Sequence, residues 1–140
     1  MVTSQWNLAT LAAWRGREVV TEDGSKLGHL DSVVYDYKTF EPVWILTSAG
    51  PFHPRELLSP VNAVAADPGA NQLRVAFTKQ HLEDEPPIEV GEGWSSGEAA
   101  RLLYNYFGLE LSADDDVRVL HRHTELPGQE RVYGGGARSP

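Results

Sequence analysis

Two apolar runs, Glu18 to Thr21 and Lys26 to Tyr35, flank the dipeptide Asp23-Gly24. Asp-Gly supplies the φ > 0 positions that a tight hairpin turn demands, so this stretch predicts two strands joined by a turn. In the second strand Leu27, Leu30, Val33 and Tyr35 do not keep one alternating phase, and Gly28 stands inside the run. Register fixes the face of every side chain, so a phase break predicts a bulge, a sharp bend or a close backbone approach near Gly28. Ahead of the hairpin, Leu8, Leu11 and Ala12 fall at helical spacing and predict a short helical turn before Gly16.

Asp36 to Glu41 reads as the next turn, with Asp36 suited to an Asx-type hydrogen bond. Val43-Trp44-Ile45-Leu46-Thr47 then predicts a strand that is apolar on both faces. One face can fill an interior, so the other needs a cover: a helix, the tail of the chain, or a second subunit. Arg55 to Ser59 predicts a short edge-like strand ending at Pro60. Ala63 to Ala66 and Gln72 to Phe77 predict a second hairpin, in which Leu73, Val75 and Phe77 alternate with Arg74 and Ala76. Thr78 can cap a brief helical turn that runs through Leu82 and ends before Pro86-Pro87.

After a spacer, Ser95-Ser96-Gly97-Glu98 is a capping-box pattern with Ser95 as the N-cap. Behind it Ala99, Leu102, Leu103, Tyr106 and Phe107 form one apolar helical stripe, and Gly108 suits the position just past the helix end. This stripe matches the uncovered face of the Val43–Thr47 strand in character. Burying Leu103 and Tyr106 against Trp44 and Leu46 should hold it there. Val117 to Leu120 predicts one further strand, and the chain from Pro127 has a linker-like composition.

The 140 residues suffice for one domain with a real core. No run approaches the roughly 20 apolar residues of a membrane-spanning helix, and the N-terminus lacks signal-peptide features, so the cytoplasm is the expected compartment. With no cysteine, thiol catalysis and thiolate-held metal centres are excluded. The net charge of −8 argues against direct nucleic-acid or anionic-membrane binding, while leaving a basic protein partner electrostatically reasonable. The basic cluster Arg118 to His123 follows Asp114-Asp115-Asp116, which suggests a locally balanced charge pattern.

Candidate chemistry is sparse. Asp23 and Asp36 are accounted for by their turns, and Asp31 differs from Asp36 in parity, so no catalytic dyad is expected. His29, His53, His81, His121 and His123 are too scattered for a recognisable metal spacing. No phosphate-binding glycine loop and no Gly-x-Ser-x-Gly context occur. The expectation is a non-enzyme with neither cofactor nor metal.

The order Gly16-x-x-Val19, Asp23-Gly24-x-x-Leu27-Gly28, Val33-x-x-Asp36, Leu57-Leu58-Ser59-Pro60, and Phe77 followed by a helical turn ending at Pro86 resembles the PRC-barrel domain family. That family is named for the cytoplasmic domain of the photosynthetic reaction-centre H subunit and includes the C-terminal domain of an rRNA maturation factor. Glu98 to Gly108 resembles the short helix that trails many free-standing bacterial members. The resemblance implies a small β-barrel of about six strands with a short C-terminal amphipathic helix. It divides the chain into an N-terminal extension (1–10), a barrel (11–87), a spacer (88–94), a helix (95–108) and a tail (109–140). Gly16, Asp23, Gly24, Gly28, Asp36 and Pro60 are then structural turn and bulge residues.

The family's barrels act as adaptors, one capping an integral-membrane complex and another binding a basic ribosomal protein. Two function classes follow. The first is a self-associating interaction module, expected to be a homodimer, that docks a protein partner and can touch a membrane complex peripherally. Its candidate surface is Trp44, Leu46, Leu102, Leu103, Tyr106 and Phe107. The alternative is a small-molecule or metal-binding, stress-related barrel using a mouth near His53 and Trp44.

Overall fold

The computed structural model describes residues 6–50, 55–67, 69–86, 93–94, 97–109 and 120–123, with the backbone alone for 93–94 and 97–100. Its elements follow the order α1 (Leu8–Ala12), β1 (Glu18–Val20), β2 (Lys26–Asp36), β3 (Pro42–Ala49) and β4 (Arg55–Pro60), then a 3-10 turn (Val61–Ala63). Next come β5 (Val64–Asp67), β6 (Gln72–Val75), α2 (Lys79–Glu83), β7 (Gly93–Trp94), α3 (Gly97–Tyr106) and β8 (Leu120–His123). The protein is mainly β, with few and short helices.

All eight strands belong to one sheet whose main path is β4-β3-β2-β1-β6-β5. Neighbours are antiparallel except β1 and β6, which run parallel through Glu18↔Gln72 to Val20↔Arg74. β2 organises the whole. β3 covers one of its edges from His29 to Tyr35, so β1 (opposite Lys26 to His29) and β8 (opposite Val33 to Asp36) share the other. β7 pairs with β8 in turn.

The mainly β fold expected from the sequence is present. Beyond the six strands of the main path, β7 and β8 extend the sheet, and among the described residues no ladder joins β4 to β5. Pro60 brings no N–H to the end of β4, and the 3-10 turn after it, anchored by the buried Val61, leads the chain into β5 as a corner. The strand expected at Val117 to Leu120 is found at Leu120–His123; 117–119 lie outside the described residues.

The β1–β2 connection forms as its sequence requires. Gly24 has φ +87, its N–H donates to the Thr21 carbonyl, and Thr21 N donates to Ser25 O. Asp23 Oδ1 accepts from the Thr21 hydroxyl and from Ser25 N at 3.2 Å. The Thr21 bond, then the Ser25 backbone bond, holds the Asp23 carboxyl below its ordinary pKa. Register shifts flank Gly28: between Val19 and Val20 where β1 meets β2, and between Leu30 and Ser32 where β2 meets β3. Those two shifts explain the broken phase of β2. Gly28 itself has ordinary extended geometry and is required by proximity, because a Cβ there would meet the Ser48 backbone.

The two-sided apolar character of β3 is real, with Trp44, Ile45, Leu46 and Thr47 all 1% exposed or less. Ile45 and Thr47 point to the face opposite from Trp44 and Leu46. On the Trp44 side the cover is α3. Trp44 makes an edge contact with Tyr104 at 5.9 Å and a tilted contact with Phe107 at 5.8 Å. Leu103 is fully buried in the same cluster. The helix ends in a Schellman motif: Gly108 has φ +69, Gly108 N donates to Asn105 O, and Leu109 N donates to Tyr104 O. Ser95 and Ser96, expected to open the helix, lie outside the described residues.

Candidate interaction site

Of the six residues forming the expected surface, Trp44, Leu46, Leu103 and Phe107 are core residues and Tyr106 packs against that core. Only Leu102 faces out, at 50% exposed. The helix is rotated about its axis from the simple stripe, so that Leu103 and Phe107, one turn apart, point inward and Tyr104 takes the place beside Trp44. Because the cover over β3 is a helix of the same chain, β3 supplies no reason for a second subunit.

α3 also presses on α2. The His81 ring lies between Tyr106 (4.5 Å between ring centres) and Phe77 (5.4 Å), stacked on both. The Tyr106 hydroxyl donates to His81 O at 2.6 Å. Burial, followed by the charges of Asp84 and Glu85, raises the Tyr106 pKa. α2 begins with Thr78 Oγ1 accepting from His81 N at 3.1 Å, the cap its sequence predicts. Just beyond its end, Glu85 turns inward onto β4. Glu85 Oε1 accepts from Leu58 N at 2.6 Å, while Oε2 is buried without a hydrogen-bond partner among the described residues. Burial pushes the Glu85 carboxyl up to about 7, against the opposing pull of the Leu58 amide and the Arg55 charge.

A polar cluster ties β8 to the sheet. Arg122 Nη2 donates to Asp31 Oδ2 at 2.6 Å and to the Glu56 carboxylate, and Nε donates to Ser32 Oγ at 3.0 Å. Burial works against the Arg122 charge, but the bonds to Asp31 and Glu56 outweigh it and raise the pKa further. Asp31 O accepts from Arg15 Nε at 2.8 Å, which ties the loop after α1 to the β2 bulge.

The third feature is the β2–β3 turn. Asp36 Oδ1 accepts from Lys38 N at 2.8 Å and Thr39 N at 3.3 Å, the Asx geometry its position predicts. This turn displays two rings: Tyr37 is 53% exposed and Phe40 60%. Tyr37 stacks on His121 at 4.2 Å and Phe40 stacks on Tyr35 at 5.9 Å. Phe40 is held at φ +63, a left-handed conformation unusual for a bulky residue.

Asp31 and Asp36 are committed to different partners and form no dyad. Among the described residues no group of three or more His, Asp or Glu side chains is placed to hold a metal ion. His53 lies outside the described residues. Sequence reasoning missed Glu85, Arg122 and the displayed rings. The last had a signal, two aromatics in a turn where polar residues usually stand; the long-range partners of Glu85 and Arg122 had none.

A β-rich sheet with a turn at Asp23-Gly24, a glycine packed backbone to backbone and a helical turn after the second hairpin defines a small, mainly β domain. The chain belongs to the PRC-barrel domain family, whose profile matches residues 9–82, more than half of its length. A search of curated proteins finds no match.

Proposed function

We propose that this protein is a non-enzymatic interaction module that docks a protein partner through the Tyr37–Phe40 tip of the β2–β3 turn. The observation that carries the reading is Phe40, which combines large exposure with a left-handed backbone. A bulky ring in that conformation costs roughly 1–2 kcal/mol, and its stack on Tyr35 still leaves most of the ring in water. Tyr37 beside it enlarges the apolar surface, and aromatic residues are the usual anchors of protein interfaces. The net charge of −8 suits a partner whose apolar pocket is rimmed by basic residues.

The test compares wild type with Phe40→Gly in affinity capture from the native cell, read by mass spectrometry. Glycine removes the backbone cost and the stack on Tyr35 together, so thermal stability should stay within about 1 kcal/mol of wild type. Loss of a specific captured protein at unchanged stability supports the reading. An identical capture profile overturns it.

A further inference from the structure

β8 is an added strand. The family match ends at residue 82, so the β2 edge from Val33 to Asp36 belongs to the matched domain, whereas its occupant, Leu120–His123, comes from beyond it. The ladder pairs Val33↔His123, Val34↔Arg122, Tyr35↔His121 and Asp36↔Leu120. Backbone pairing of this kind gives affinity with little regard to sequence, and side chains supply the selectivity.

Here the side chains are read closely. Leu120 is buried, and the Tyr35 ring makes edge contacts with His121 and His123. Asp31, Glu56 and Ser32 converge on the Arg122 guanidinium from β2 and β4. An arginine bound by two carboxylates and a hydroxyl is the most specific element of this contact.

We propose that the Val33–Asp36 edge of β2, with the Asp31/Glu56 acid pair, is a strand-docking groove for an extended, arginine-bearing segment of a partner protein. The pattern it selects is aliphatic-x-Arg, and Leu120–His123 of the same chain fills it as a built-in competitor. The inference rests on reading the protein as an interaction module, and adds a second, acidic subsite next to the aromatic tip. A tethered competitor acts at an effective concentration of about 1 mM, so a partner's segment displaces it only by binding more tightly than Leu120–His123 does, and weakening the chain's own arginine admits a short free peptide. The groove thus selects for a basic partner and resists casual ligands.

The probe is a fluorescein-labelled peptide with the sequence Arg-Val-Leu-His-Arg-His-Thr, that of residues 118–124, read by anisotropy against full-length wild type and full-length Arg122→Ala. The peptide should bind Arg122→Ala about tenfold or more tightly than wild type. Adding Asp31→Asn and Glu56→Gln, or replacing the peptide's second arginine by glutamate, should abolish that gain. A folded Arg122→Ala that binds no peptide, or binds both peptides alike, overturns the proposal.

Hydrogen exchange on the wild type decides independently of the variant. Amides of 120–123 should exchange at least tenfold faster than those of Ile45 and Leu46, because the strap must open while the sheet stays intact. Equal protection overturns it. Peptide binding to Arg122→Ala together with a capture profile unchanged by Phe40→Gly overturns the aromatic tip alone, so the two readings fail separately.

Discussion

The Gly28 backbone lies against the Ser48 carbonyl so closely that a Cβ at position 28 would fall 2.0 Å from that oxygen and 2.8 Å from its carbon. Ser48 is itself fixed by pairing with Glu56 across β3 and β4, so the obstacle is ladder backbone with little room to yield. Gly28→Ala should therefore cost about 2–3 kcal/mol or more, as overpacking does. Gly24→Ala meets only the far end of Arg74, at 3.9 Å, and should cost roughly 1 kcal/mol through its φ of +87. Urea unfolding of the two variants checks the order.

Leu102 and Leu103 are adjacent on α3 and should behave oppositely. Leu103→Ala empties a fully buried position in the core and should cost about 2–5 kcal/mol. Leu102→Ala alters a half-exposed side chain and should stay within about 0.5 kcal/mol. Thermal melts of the two variants would expose a wrong helix rotation, because the larger loss would then move to Leu102.

Glu85 gives the protein a dependence on pH with a definite sign. Its folded pKa of about 7 lies above the ordinary 4.5, so the folded state holds this proton more tightly than the unfolded chain does. The resulting stabilisation is complete below pH 4.5 and is lost as pH rises through about 7. Melting temperature should fall over that window from this group. Glu85→Gln, which keeps an oxygen for the Leu58 amide, should flatten the fall and gain most at pH 8.

Arg122→Ala should cost about 1–2 kcal/mol, since Asp31 and Glu56 are partly exposed and can rehydrate once their partner is gone. The wild type should lose part of the same increment in about 1 M salt while the variant does not, which a salt series of denaturation curves reads directly.

Much of the fold was legible because its causes are local. Asp23-Gly24 forms its turn, Asp36 its Asx bonds, Thr78 its cap, and the broken phase of Leu27, Leu30 and Val33 announced the register shifts around Gly28. The two apolar faces of β3 called for a cover, and α3 provides one. What was not legible depends on distant encounters. Leu102 and Tyr104 both suit an amphipathic helix, and only docking on Trp44 decides which faces inward. Arg122 meets Asp31, which lies 91 residues earlier, and no pattern along the chain encodes that pairing. The basic cluster around Arg122 seemed destined for the neighbouring aspartates, whereas the sheet delivers carboxylates from β2 and β4.

The parallel pair β1–β6 has a consequence for the route by which the chain folds. The β2–β3 and β5–β6 hairpins join neighbours in sequence and need only short loops closed. β1 and β6 meet across 54 residues, as in the bond from Gln72 Nε2 to Glu18 Oε1. The chain entropy of that closure is lost before its contacts form, so β1–β6 pairing follows the local hairpins in assembly. A kinetic intermediate with the hairpins formed would display the unpaired edge of β6, where a second molecule could intrude.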